Sequence, residues 1–424
     1  MKYGSSLFRI SVVFCVLTSM AFATMPDSAQ QSKSAGAFET GVYQNLFTEW
    51  LGIPETLVQA KLDSIYHQLF FGDDKTQRIY YPVGNDMAYI EDVQFQDVRT
   101  EGMSYGLMIA VQMNKRNEFD RLWKWMKIYM QHQTGPQKTY FAWQCKPDGT
   151  IIDQSTASDG EEWTAMALLF ASARWGTDTG MYNYRAEAQA ILDNMLHKET
   201  APENDGSATN LFNTKEHQVV FVPNKDASGF TDPSYHLPHF YELWARWAKH
   251  DAQFWHDAAS VSRKVFQQSA NRVTGLAPDY SHFDGTPAST PWSNGTKNFQ
   301  YDAWRVAANA AMDFSWFAKD TEEVTLSNRI QQFFYSEGIK SYGSVYTLEG
   351  KKLASDHSTG LVAMNAVASL ASTNDHRQAF VEELWNTPIP AGKYRYYDGI
   401  LYFLGMLEVS GHFRIYDPMT HSSK

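Results

Sequence analysis

The chain has 424 residues, a formal net charge of −11 and 13 scattered histidines. That acidic balance excludes nucleic acid and anionic membrane surfaces as partners, because both require basic patches. Aromatic residues reach 15% of the sequence, a density that fills a large core and equally suits a cleft in which sugar rings stack.

Residues 1–23 combine Lys2 and Arg9, an apolar run over 10–16, and Ala21-Phe22-Ala23. This is the pattern of a secretory signal peptide cleaved after Ala23, too short to span a bilayer. Phe14 precedes Cys15 where a lipid-anchored protein has a small residue, so the product is expected to be exported, periplasmic or extracellular, without membrane attachment. Residues 24–36 are rich in Ser, Gln and Ala and read as a disordered leader. Past the signal peptide only Cys145 remains, so no intrachain disulfide can form. No shift of composition divides residues 37–424, which read as a single domain.

Within that domain the pattern is helical in two alternating styles. Amphipathic stretches are predicted over 55–70, 117–132, 184–197, 252–270, 321–335 and 377–385. Between them come helices apolar nearly all round, the mark of burial. Their polar openings are Glu101-Gly102-Met103-Ser104-Tyr105, Asp159-Gly160-Glu161-Glu162-Trp163, Asp232-Pro233-Ser234-Tyr235-His236, Tyr301-Asp302-Ala303-Trp304-Arg305, His357-Ser358-Thr359-Gly360-Leu361 and Tyr396-Tyr397-Asp398-Gly399-Ile400. Six buried helices alternating with six amphipathic ones predict an all-α (α/α)6 barrel. Parallel inner helices would gather all six openings at one end. Glu101, Asp159, Asp232, Asp302 and Asp398 would then share a cleft, with Trp143, Tyr280 and Trp292 added by the loops at 140–143, 278–299 and 341–357.

Acids and aromatics without a cationic phosphate site suit a neutral polyhydroxylated substrate. Hydrolysis of a glycoside needs one protonated and one ionised carboxyl flanking the bond, and about 6.5–9.5 Å between them when the product is inverted. Glu101 and Asp302, on different inner helices, are the best-placed pair. Arg305 lies one turn after Asp302 and is placed to hold that carboxylate ionised. His236 and His239 read as cleft or packing residues, so no metal and no cofactor is expected. Cys145 reads as buried structure.

The run Ala157-Ser158-Asp159-Gly160-Glu161-Glu162-Trp163-Thr164-Ala165-Met166-Ala167-Leu168-Leu169 resembles the signature of glycoside hydrolase family 8. Glu161 stands where that pattern has Asp, and Thr164 where it has Ile or Met. Similarity extends through residues 99–106, 140–143, 232–238, 302–309 and 395–398, essentially the whole exported chain. Within the family the chain looks most like reducing-end xylose-releasing exo-oligoxylanases. The resemblance implies inversion, with Glu101 as general acid, Asp302 as general base and Asp159 holding the sugar at the cleavage point. It implies that Trp143, Tyr235, Arg305 and Tyr397 grip xylose units, and that the substrate is a xylo-oligosaccharide. The exo-enzymes wall their cleft with a loop His beside Leu and Pro. Here the loop is Ser355-Asp356-His357-Ser358-Thr359, which retains the His without an obvious apolar wall, and endo cleavage stays open. Nothing in the sequence sets an oligomeric state, and a monomer is assumed.

Overall fold

Burial separates the two kinds of helix. In the computed structural model, which describes residues 35–293 and 295–419 together with Met1, two short helices, α1 (Ala37–Thr40) and α2 (Leu46–Leu51), lead into α3 (Glu55–Phe71). There follow α4 (Thr100–Gln112), α5 (Arg116–Trp125), α6 (Ser158–Trp175), α7 (Tyr184–His197), α8 (Pro238–Trp247), α9 (Ala252–Ser269), α10 (Arg305–Phe317), α11 (Glu322–Glu337), α12 (Thr359–Val367), α13 (Arg377–Asn386) and α14 (Tyr397–Val409). Every residue of α4 except Glu101 is buried. In α5 only Phe119, Leu122, Trp123 and Trp125 are, a single face of the helix. Helices α4, α6, α8, α10, α12 and α14 form the inner ring, and α3, α5, α7, α9, α11 and α13 the outer one, giving an (α/α)6 barrel. Apart from Met1, the predicted signal peptide lies outside the described residues, as does nearly all of the predicted leader. Ala35 and Gly36 already belong to the packed unit: a Cβ on Gly36 would stand 2.2 Å from the Trp316 carbonyl oxygen.

The inner ring is tied by side chains too large to be replaced without a cavity. Tyr105 of α4 meets Trp163 of α6 edge-on at 4.8 Å, and Trp163 meets Phe240 of α8 at 5.0 Å. His239 of α8 stands on Trp316 of α10 at 5.3 Å. Between α12 and α14 the backbones approach until a Cβ on Gly405 would lie 2.9 Å from that of Ala363. Arg263 of α9 ties α8 to α10: it donates twice to Asp313, at 2.7 and 2.9 Å, and once to Glu242 at 3.0 Å, all three side chains being buried.

The structure departs from the predicted elements where the chain is paired by tertiary contacts. The second outer helix was expected to reach residue 132, but α5 ends at Trp125 and a π-turn spans Met126–Met130. The backbone leaves the helix there because Gln131 bridges to Phe141, and Ala142 N–H donates to the Met130 carbonyl at 2.8 Å. Small antiparallel sheets were not foreseen: a hairpin of β1 (Tyr80–Val83) and β2 (Met87–Ile90), and a sheet of β3 (Val98–Arg99), β4 (Gln144–Cys145) and β5 (Ile151–Asp153). The β3 strand runs directly into α4, so its pairing with β4 fixes where that helix begins.

Candidate active site

Glu101 is placed by this strand-to-helix junction. Val98 pairs with Cys145 and Arg99 with Gln144, and Thr100 N–H donates to the Trp143 carbonyl at 2.9 Å. Arg99 is spent elsewhere, on Asp92 at 3.1 Å and Asp97 at 2.9 Å. Asp159 opens α6 next door, its Oδ1 accepting from Gly160 N–H at 2.8 Å. Only glycine fits at 160, since a Cβ would stand 2.5 Å from that of Thr100. That close approach of α4 and α6 is what brings the two acids together. Asp302 lies in a 3₁₀ turn, Tyr301–Trp304, ahead of α10. The preceding Tyr301 has φ of +30°, an unfavourable conformation for a residue bearing a Cβ.

Arg305 joins the three acids. Its Nη1 donates to Glu101 Oε2 at 3.2 Å and lies 3.7 Å from Asp159 Oδ2; its Nη2 donates to Asp302 Oδ1 at 2.7 Å and to Ser234 Oγ at 2.9 Å. It also donates to the Tyr105 hydroxyl. The bonds of 3.2 and 2.7 Å, with the width of one guanidinium between them, set a ceiling of roughly 8 Å on the gap between the bound oxygens of Glu101 and Asp302, and this admits the about 6.5–9.5 Å of an inverting pair. Asn309 Nδ2 donates to the Ser234 carbonyl at 2.8 Å and holds the Asp232–Tyr235 turn against α10.

The electrostatics differentiate the acids. Burial, opposed by Arg305 and reinforced by Asp302 and Asp159, raises the Glu101 carboxyl to about 7. The same competition raises Asp159 to about 6. Asp232 and Asp279 are raised well above the ordinary range, first by burial and then by neighbouring carboxylates, Asp302 foremost. Glu101 keeps 18% side-chain exposure and Asp302 25%, whereas Asp159 keeps 6%. The first two therefore face the solvent side of the cluster.

Tyr235 and Tyr397 meet the acid cluster, whereas Trp143 and His357 make their contacts beside it. Tyr235 lies under Arg305, whose guanidinium carbon is 5.9 Å from the ring centre. The Tyr397 hydroxyl donates to the Tyr301 carbonyl at 3.1 Å and reaches Asp302 at 3.5 Å. Trp143 is half-buried at the mouth of α4, its ring 5.8 Å from the Arg99 guanidinium. His357 sits apart from the acids in its bonds: Nδ1 meets the Tyr342 carbonyl at 2.9 Å, the ring packs edge-on against Tyr342, and Nε2 is buried without a partner.

Asp398, expected among the cleft acids, instead caps a neighbour. It accepts from Ser358 Oγ and from Gly360 N–H at 2.9 Å, closing the N-terminus of α12. His236 is packed between Thr231 and Ser262 hydroxyls, and among the described residues no cluster of His, Cys, Asp and Glu could hold a metal ion. Sequence reasoning passed over three groups. Tyr396 donates to Glu101 Oε1 at 3.2 Å, Tyr105 bonds Arg305, and Asp279 sits behind Asp302. Tyr105 and Tyr396 stand within the helix openings already singled out, but nothing there distinguishes a tyrosine that serves an acid from one that fills the core.

Comparison with known proteins places the chain. Residues 89–411 match the family model "Glycosyl hydrolases family 8", and the chain belongs to that family. It is thus a glycosidase of an inverting family of (α/α)6 barrels. It is 47% identical over 384 residues to the reducing-end xylose-releasing exo-oligoxylanase Rex8A of Paenibacillus barcinonensis, covering 90% of this chain and 98% of that protein. A reducing end xylose-releasing exo-oligoxylanase of Halalkalibacterium halodurans is 42% identical, with 90% and 97% covered. Among solved structures, a family 8 xylobiose complex from Teredinibacter turnerae superposes with a TM-score of 0.87 at 45% identity, covering 90% of this chain and all of that one.

Proposed function

We propose that this protein hydrolyses β-1,4-xylo-oligosaccharides with inversion and releases xylose from their reducing end. The observation that carries the chemistry is the single guanidinium of Arg305 shared by Glu101 and Asp302, with the Glu101 carboxyl held at about 7. A carboxyl near 7 keeps its proton in about half of the molecules at neutral pH, where an ordinary glutamate has lost it almost completely, and can give that proton to the departing glycosidic oxygen. The carboxylate left behind accepts from Arg305 and Tyr396, which stabilise the charge as it forms. Asp302, bonded to Arg305, takes the proton of a water that attacks the anomeric carbon from the opposite face.

Asp159 and Arg305 lie deeper and are suited to hold the sugar at the cleavage point. Tyr235, Tyr397 and Trp143 offer ring faces to the units on either side. His357 precedes α12 and is assigned to the loop that ends the cleft after one released sugar. The substrate class comes from the two exo-oligoxylanases and from the xylobiose complex. The sequence of residues 1–23 supports export as the setting.

Xylohexaose isotopically labelled at its reducing end tests this reading. Labelled xylose alone among the early labelled products, with the chain shortening one unit at a time, is expected. Labelled products of several sizes would mean an open cleft and endo cleavage.

A further inference from the structure

Beyond the acids, one arm of the site continues past Tyr235 in rings to which the hydrolysis itself assigns no role. Tyr235, at the acids, stacks on Phe221 with ring centres 5.9 Å apart and planes within 18°. Phe221 stacks in turn on Trp292 at 6.4 Å, again within 18°, and on Phe230 at 5.2 Å. Tyr280 lies 4.3 Å from Phe221 and 5.8 Å from Phe230. Burial together with the negative field of Asp302, Asp232, Asp279 and Asp159 raises its hydroxyl, which places that ring between the acids and the aromatic arm. Exposure grows outward along the series. Tyr235 is 6% exposed, Phe221 and Phe230 are half-buried, and Trp292 is 58% exposed.

A surface indole at that exposure costs solubility and contributes little packing. The loop that presents it is nevertheless well braced. Thr231 and Ser281 exchange two backbone hydrogen bonds at 2.9 Å, Tyr280 N–H donates to the Thr296 carbonyl at 2.9 Å, and Thr296 Oγ1 donates to the Ala288 carbonyl at 2.8 Å. A rigid platform of near-parallel rings, starting at the acids and ending in solvent, fits a flat polymer better than it fits a compact ligand. β-Xylopyranose carries all its hydroxyls equatorially, so both its faces are C–H surfaces that complement the negative face of an aromatic ring.

We propose that Trp292, with Phe221 and Phe230, forms an outer subsite that stacks a xylosyl unit of the bound oligosaccharide, on the non-reducing side of the cleavage point. The side follows from the function proposed above, on which this inference rests: an enzyme that releases one sugar from the reducing end leaves every further unit on the other side. The subsite makes the enzyme selective for chains long enough to reach Trp292 and does nothing for shorter ones.

The test compares kcat/KM of the wild type, Trp292→Ala and Trp292→Phe on xylobiose through xylohexaose, with labelled products resolved. The inference expects the Trp292→Ala loss to grow with chain length, to roughly three- to tenfold on the longest substrate, and Trp292→Phe to recover most of it. A loss equal at every length, or none at any, overturns the subsite. The labelled products report separately on the mode of cleavage: a spread of labelled sizes would overturn reducing-end release, while the length dependence of the Trp292→Ala loss would still decide whether the platform binds sugar.

Discussion

Glu101→Gln removes the proton donor while keeping the size of the side chain, and its effects on rate and on stability should run in opposite directions. Loss of a general acid costs roughly 10²–10⁴ in kcat, about 3–5 kcal/mol of barrier. Stability changes because the folded chain holds this carboxyl at about 7 against an ordinary 4.5. Between those values the folded state keeps a proton that the unfolded chain has released. The contribution is therefore present at low pH and is lost as pH rises to about 7. Fully ionised, the buried carboxylate weakens the fold by up to about 3 kcal/mol, a ceiling given that the side chain retains 18% exposure. Glutamine carries no such charge. Calorimetric melting at pH 5 and pH 8, with turnover of xylotriose, measures both. The variant should lose at least a hundredfold in kcat, and its melting temperature should gain on the wild type between pH 5 and pH 8. Retention of more than a tenth of kcat, or a melting difference that does not widen with pH, would refute the assignment of Glu101.

Three further outcomes follow from the packing. Arg263→Met leaves the Asp313 and Glu242 carboxylates without this partner and should cost about 3–5 kcal/mol, seen as a lower melting temperature, with kcat of the folded fraction retained. Gly102→Ala would put a Cβ 2.6 Å from the Tyr396 ring; a cost of about 1–3 kcal/mol with a fall in kcat is expected, because Tyr396 serves Glu101. Asp398→Ala should lose about 1–2 kcal/mol of cap stability and little activity, whereas a collapse of kcat in a folded variant would return Asp398 to the cleft.

The alternation of buried and one-faced helices was legible because burial in a double ring leaves a simple mark: α4 is apolar around its whole circumference and α5 on one side. Glu101, Asp159, Asp302 and Arg305 were found for a related reason, since each opens an inner helix and a polar residue at such a place stands out against the apolar run. Asp398 shares that placement yet caps α12, a difference set by which neighbour its carboxylate meets. The β3–β4 pairing that positions Glu101, and the Gln131–Phe141 bridge that ends α5, depend on partners distant in sequence and leave no local periodicity. The bonds from Tyr396 and Tyr105 were hidden in the same way, by a core already rich in tyrosine.

The most direct test of the central claim is proton NMR of the anomeric region during the first turnovers of xylohexaose by the unmodified enzyme. Inverting cleavage with release from the reducing end creates a new α-anomeric end on the shortened chain, while free xylose appears in the anomeric ratio of the starting reducing end. New β signal on the chain would contradict inversion, and an α excess on xylose itself would mean that the enzyme works from the other end.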